Sequence, residues 1–192
     1  PHRFHPEIDT GVHTMMVLQQ AARLSPLPEV RFAALVHDLG KGQTPHAMWP
    51  RHHGHEESGV ELVLQLCKRL KVPNNIRDLA VQVARYHGHF RRVSTELTAA
   101  TIVDTLEALD AFRRPERFEH YLLACEADIR GRAGKEKAPV PQTEHFQRCL
   151  DAANAISVQH IRDAGYEGKA IGEELHRRRV NAVKQLLGEI RR

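Results

Sequence analysis

The stretch PEVRFAALVHDLGKG, residues 28–42, reads as an apolar helix that ends in a histidine and an aspartate. Pro28 suits a first helical position, because it lacks the N–H that a helix start leaves unpaired and its φ is already helical. Val30, Ala33, Ala34 and His37 follow at i, i+3, i+4 and i+7, so the buried stripe carries His37 into the interior. The helix is expected over 28–39, with Gly40 and Gly42 stopping it and Lys41 left in a loop beside the pair. Neighbouring helical residues point about 100° apart, so His37 and Asp38 can reach one cation only from a helix end that opens on a cavity.

Outward from this segment the same periodicity continues in both directions. Asp9 or Thr10 can cap a helix over 10–24 with His13, Met16, Val17 and Gln20 on one side. Further helices are expected over 56–70, from 73 or 74 through His87, over 98–109, and over 115–128 before Gly131. No segment alternates apolar and polar residues over the length of a strand, so the fold class is all-α. GRAGKEKAPVPQ, residues 131–142, is rich in Gly, Lys and Pro and divides the chain. The expected organisation is a helical domain over 1–132, a linker over 133–142 and a helical appendage over 143–192. In the appendage a long helix runs from Thr143 or Glu144 toward Gly165, and a last helix carries Arg177, Arg178, Arg179, Lys184, Arg191 and Arg192. Such a basic helix ordinarily presents a solvated face, while Lys169 and the glycines before its N-terminus favour an RNA contact.

A chain of 192 residues can bury a core of its own. No apolar run approaches the roughly 18 residues of a membrane span, and no secretory signal is recognised, so a membrane or secreted protein is not expected. Cys67, Cys125 and Cys149 are odd in number and include no CxxC pair, which argues against a disulfide framework or a thiolate zinc site and for a reducing cytoplasm. The net charge of +4 permits nucleic acid as a partner without requiring it. The opening PHRFHPEID has neither an initiator methionine nor a core-forming helix and reads as a piece of a longer protein.

The 14 histidines are the sharper compositional signal. His13 shares a helical face with Met16 and Val17, and Asp128 shares one with Tyr121, Ala124 and Cys125. A lone histidine on such a face is usually a hydrogen-bonded core residue. A carboxylate there needs a partner, either an arginine such as Arg130 or a cation. With His37 and Asp38 these residues make a nitrogen and oxygen donor set that fits Mn, Fe, Co, Ni, Zn or Mg. RHHGHEESG (51–59) and YHGHF (86–90) add His52, His53, His55, His87 and His89. Of these, His87 continues a buried stripe and His55 stands nearest its helix start. His2, His46, His120, His145, His160 and His176 are expected to face solvent. Lys41, Arg130 and Arg132 flank the proposed ligands, and a basic rim around a cation suits a phosphate ester.

The ordered set His13, His37 with Asp38, and Asp128 resembles the HD phosphohydrolase superfamily, and HDLGK, HGHEESG and His87 extend the resemblance over 1–132. HPEID, HDLGKG, ARYHGHF, ADIRGR and GYEGKAIGEEL are further similar to the C-terminal HD region of the bacterial CCA-adding tRNA nucleotidyltransferases. The resemblance implies an HD helical bundle that hydrolyses 2′,3′-cyclic nucleotides, 2′-nucleotides and simple phosphate esters with nickel or magnesium, in a protein that works on tRNA. That family's nucleotidyltransferase head is not among these residues, so CCA addition is not expected of them.

On this reading His13, His37, Asp38 and Asp128 hold a first cation, and Lys41, Arg130 and Arg132 bind the phosphate. Asp38, Lys41, His55 and His87 are the catalytic candidates. His55 or His87 either protonates the leaving 2′ or 3′ oxygen or binds a second cation. Several imidazoles favour nickel, manganese or cobalt over magnesium, which prefers oxygen. Homodimerisation is compatible with the sequence, and no membrane partner is expected. The competing readings are a non-catalytic helical tRNA-binding module, and an HD nucleotide pyrophosphohydrolase or guanosine tetraphosphate hydrolase. The presence of every expected ligand type, in order, favours an enzyme.

Overall fold

A computed structural model of the chain describes residues 10–45, 52 and 54–191, and every regular element among them is helical. In order these are α1 (Thr10–Leu24), α2 (Pro28–Val36), a 3-10 turn (Leu39–Gln43), α3 (His55–Leu70), α4 (Asn74–Arg92), α5 (Ala99–Ala108), α6 (Pro115–Arg130), α7 (Pro141–Asn154), α8 (Val158–Asp163) and α9 (Lys169–Ile190). Asp9, Arg192, His2, His46 and His53 lie outside the described residues. The all-α expectation is met, and no helix among the described residues is long and apolar enough to cross a membrane. Cys67, Cys125 and Cys149 are free and buried.

Two compact units divide the chain, Pro1–Arg91 with Glu116–Val140 and Arg92–Pro115 with Pro141–Arg192. In the first, α1 buries His13, Val17, Gln20 and Ala21, and Val17 and Ala21 meet Ala34 of α2 and Ala127 of α6 in a cluster without exposed surface. Small residues let these backbones approach, and Gly131 continues the device: a Cβ there would lie 2.6 Å from Cα of Val17. Larger side chains fill the neighbouring space. Phe118 stacks on Tyr121 at 5.9 Å and Phe90 of α4 meets Tyr121 edge-on at 6.5 Å. Burying each ring contributes roughly 1.5–3 kcal/mol. The Tyr121 hydroxyl donates to the Tyr86 carbonyl at 2.8 Å, so its polar atom is not stranded.

Helix α2 stops at Val36 rather than running over 28–39. His37 is its C-cap, and Asp38, at φ −109° and ψ 14°, leaves helical geometry before either glycine is reached. Gly40 has a different task from the expected helix stop. A Cβ on it would run into the His55 carbonyl oxygen and lie 2.7 Å from the Gly59 nitrogen, so the 3-10 turn meets the first turns of α3 backbone to backbone.

The second unit holds α5, α7, α8 and α9. Helix α5, which falls within the 1–132 stretch, buries Ile102, Val103 and Leu106 and packs with α7 and α9. The expected long helix toward Gly165 is instead two helices. The chain turns extended at Ser157 (φ −79°, ψ 122°), whose hydroxyl accepts from the His160 N–H at 3.3 Å, and a serine that caps a new helix competes with continuation of the old one. Arg191 donates to the carbonyls of Val93, Ser94 and Leu97 at 3.2, 3.2 and 2.7 Å. The basic helix is not a uniformly solvated face. Arg177 and Arg178 clasp Glu174 at 2.7 and 2.6 Å, and the Arg179 guanidinium lies 3.7 Å over the Phe112 ring.

Candidate metal centre

Five helices of the first unit, counting the C-cap of α2, deliver one histidine or aspartate each, and Asp38 at the start of the 3-10 turn supplies another. His13 comes from α1, His37 from the end of α2, His55 from the first position of α3, His87 from α4 and Asp128 from α6, with Asp38 following His37. The four histidines share one orientation. Nδ1 of His13 faces the Gly131 carbonyl at 3.1 Å, that of His37 faces Ala34 at 2.7 Å, and that of His55 faces His52 at 2.6 Å. Nδ1 of His87 lies 3.1 Å from the Val83 carbonyl and 3.2 Å from that of Ala84. A carbonyl can only accept, so each Nδ1 carries a proton and each Nε2 is turned toward the cluster.

The carboxylates divide these nitrogens into two groups. Asp128 Oδ1 lies 3.2 Å from His13 Nε2 and 3.5 Å from His37 Nε2. Asp38 stands between the groups: Oδ2 is 3.2 Å from His37 Nε2 and 4.0 Å from His13 Nε2, and Oδ1 is 3.5 Å from His87 Nε2 and 3.7 Å from His55 Nε2. Within the sets His13, His37, Asp128 and Asp38, His55, His87 the donor atoms all lie within 4.8 Å of one another. His55 and His87 therefore form a second donor set with Asp38.

Three buried atoms test whether a cation fits. His37 Nε2, Asp38 Oδ1 and Asp128 Oδ2 have no hydrogen-bond partner, although His37 Nε2 lies near both carboxylates. Unpaired polar atoms in a buried site are costly, and nitrogen and oxygen donors are the ligands a first-row divalent cation takes. The charges agree with that fit. Burial alone would lower the His37 pKa, yet Asp38 and Asp128 hold it up at about 10, so a proton sits among the carboxylates. Burial would raise both carboxyls, but His37 draws Asp38 down, and the adjacent His13 and His37 draw Asp128 down, well below the usual range. Burial pushes His87 down to about 4, which leaves its Nε2 unprotonated at neutral pH.

The cations expected around the ligands sort differently. Lys41 is buried in the 3-10 turn, not left in an open loop, and its Nζ donates to Asp38 Oδ2 at 2.5 Å. Arg132 Nη2 approaches Asp128 Oδ1 at 4.0 Å. Arg130 is turned elsewhere, with Nε 2.8 Å from Glu126 and Nη1 3.4 Å from the Glu136 carbonyl, so it does not neutralise Asp128 as the sequence reading allowed. Arg91, one helical turn beyond His87 and overlooked in the sequence, has Nε 4.0 Å from Asp128 Oδ2. Its spacing of four from His87 was the available signal. Among the histidines expected at the surface, His160 is exposed, while His120, His145 and His176 are half-buried and approach Glu29, Ser94 and Glu107. His176 also nears Asp104 at 3.5 Å, but Arg179 stands 3.4 Å from Glu107 and would compete with any cation there.

The family model described as HD domain matches residues 10–111. The chain belongs to the HD domain family. HD domains bind divalent metals, and the family implies metal-dependent phosphohydrolase chemistry. The HD match ends before Asp128, which the geometry joins to His13 and His37 as the sequence reading expects. This HD chain is 58% identical to the Multifunctional CCA protein of Thioalkalivibrio sulfidiphilus over 98% of its own length and 46% of the relative's. It is 55% identical to that of Nitrosococcus oceani over 96% of its length and 45% of the relative's. With the protein of Teredinibacter turnerae the identity is 50%, over 97% and 45% respectively. The chain thus spans about half the length of these relatives. No solved structure matches it.

Proposed function

We propose that the chain is a metal-dependent phosphohydrolase acting on 2′,3′-cyclic nucleotides, 2′-nucleotides and simple phosphate monoesters, as the HD part of a tRNA CCA-adding and repair protein. The observation that carries the reading is the convergence of four Nε2 atoms on two carboxylates, with three buried donor atoms lacking hydrogen bonds. His13, His37 and Asp128 would hold one cation and His55 and His87 a second, with Asp38 shared between them. Nickel, manganese or cobalt suits this nitrogen-rich set better than magnesium. A cation held there polarises phosphoryl oxygens and lowers the pKa of water.

The chain's own groups perform the remaining tasks. The carbonyls of Gly131, Ala34, His52 and Val83 lock the four rings, so the ligand geometry exists before substrate arrives. Lys41 offsets charge on the phosphoryl oxygens from the Asp38 side, and Arg132 does so from the Asp128 side. The backbone-donating Nδ1 of His55 and of His87 leaves Nε2 as the atom that faces substrate or cation. The relatives' printed name supports a place in CCA metabolism, and a tRNA contact would fall on the exposed basic residues of the 143–192 segment, Lys169 and Lys184 among them.

The test is hydrolysis of 2′,3′-cyclic AMP, 2′-AMP, guanosine tetraphosphate and deoxynucleoside triphosphates by the chelated chain reloaded with nickel, manganese, cobalt or magnesium. Turnover of the first two, lost by more than about a hundredfold in Asp38→Asn, is the expected result. Preference for the triphosphates or the tetraphosphate would make it a pyrophosphohydrolase. No turnover with any metal, together with retained affinity for a tRNA acceptor hairpin, would make it a binding module.

A further inference from the structure

Two guanidiniums address opposite oxygens of one buried carboxylate. Arg91 Nε lies 4.0 Å from Asp128 Oδ2, and Arg132 Nη2 lies 4.0 Å from Asp128 Oδ1. These separations are too long for hydrogen bonds, so neither arginine is consumed by Asp128. Their side chains are 30% and 22% exposed while that of Asp128 is 3% exposed, so both arginines reach from the cluster toward solvent. Nε and Nη2 of Arg132 are themselves buried without a hydrogen-bond partner. Buried guanidinium donors without an acceptor are costly, and an oxyanion is the acceptor that their fork geometry matches. Arg130, the neighbour on α6, cannot share this role because Glu126 and the Glu136 carbonyl hold it.

Charge indicates which oxyanion. Lys41 is paired with Asp38, leaving the two arginines as the cations that stand beside Asp128 without a hydrogen bond to it. A phosphate monoester is close to dianionic above its second pKa of about 6, whereas a cyclic diester carries a single charge and has one fewer free oxygen. Building on the phosphohydrolase reading, we propose that Arg91 and Arg132 form a guanidinium pair that grips the non-bridging oxygens of a phosphate monoester and biases the site toward monoesters over cyclic diesters. Arg91 is then a specificity-determining residue that touches substrate, not only a neighbour of a ligand.

The experiment titrates inorganic phosphate into the manganese-loaded chain by calorimetry, for wild type, Arg91→Gln, Arg91→Lys and Arg132→Gln, with metal content measured in each. Steady-state kcat/KM for 2′-AMP and 2′,3′-cyclic AMP is measured on the same samples. Losing one charge-assisted contact should weaken phosphate binding and lower kcat/KM on 2′-AMP by about tenfold or more in either Gln variant. The fall on the cyclic diester should be several-fold smaller, metal content should stay level, and Arg91→Lys should recover part of the loss. Equal losses on both substrates accompanied by lost manganese would overturn the proposal and make Arg91 a support for Asp128. Unchanged phosphate affinity in both Gln variants would also overturn it. If wild type turns over neither ester, the phosphohydrolase reading fails, while the phosphate titration still decides whether the arginine pair binds the anion.

Discussion

The ammonium of Lys41 lies 2.5 Å from Oδ2 of Asp38, the oxygen that also faces His37 at 3.2 Å. A divalent cation drawn to that oxygen meets a resident positive charge. Replacing Lys41 by methionine keeps much of the buried stem and removes the charge. Manganese affinity, read by calorimetry, is expected to rise in Lys41→Met, while hydrolysis of 2′,3′-cyclic AMP falls by about tenfold or more because the phosphoryl oxygens lose a cation. Weaker manganese binding in the variant would show that Lys41 orients Asp38 instead of competing for it.

Gly40 fixes the spacing between the HD turn and α3. A methyl group there meets backbone at His55 and Gly59, and backbone cannot rotate away as a side chain can. Gly40→Ala should destabilise the protein by about 1–3 kcal/mol and shift His55 from Asp38. Denaturant unfolding and metal stoichiometry would read both effects. Unchanged stability and stoichiometry would mean that the turn yields without cost.

Chelation should lower the melting temperature as well as any turnover, because a cation that binds only the folded cluster stabilises it by mass action. The larger recovery is expected with nickel, cobalt or manganese than with magnesium, given four imidazole donors. A melting temperature indifferent to chelation and metal addition would remove the centre from the account of the fold.

The second unit carries a pH signature of its own. Hydrogen bonds from Arg177 and Arg178 hold the Glu174 carboxyl down at about 2, against an ordinary 4.5. A group whose folded pKa lies below its unfolded value takes up its proton first in the unfolded chain as pH falls. Its stabilisation is therefore complete above about 4.5 and is lost progressively toward pH 2. The gap in melting temperature between wild type and Glu174→Gln should close across that acid window. A gap that stays constant from neutral pH to about 2 would show that the arginines stabilise through packing and not through the carboxylate's charge.

The helices and several site residues were legible in the sequence because they follow from local periodicity. Val30, Ala33, Ala34 and His37 repeat at helical spacing, and the position of His13 beside Met16 and Val17 already marked it as inward-facing. Two departures are local competitions that periodicity does not rank: Ser157 caps a new helix, and Glu126 takes Arg130 from one turn away. The close approach of Gly40 to α3 and of Arg91 to Asp128 depends instead on contact between distant segments.

By itself the sequence determined an all-α chain with an ordered His, His-Asp, Asp set, since helix formation and the inward face of each helix depend on residues within a few turns. Only the tertiary structure decided that Asp38 stands between two histidine groups, that backbone carbonyls lock all four rings, and that α5 is grouped with the C-terminal helices. These arrangements are set by close approach of backbones at Gly40, Gly131 and the buried alanines, where a difference of one side-chain carbon moves a ligand. Such approach is a property of pairs of segments far apart in the chain, and no local spacing encodes it.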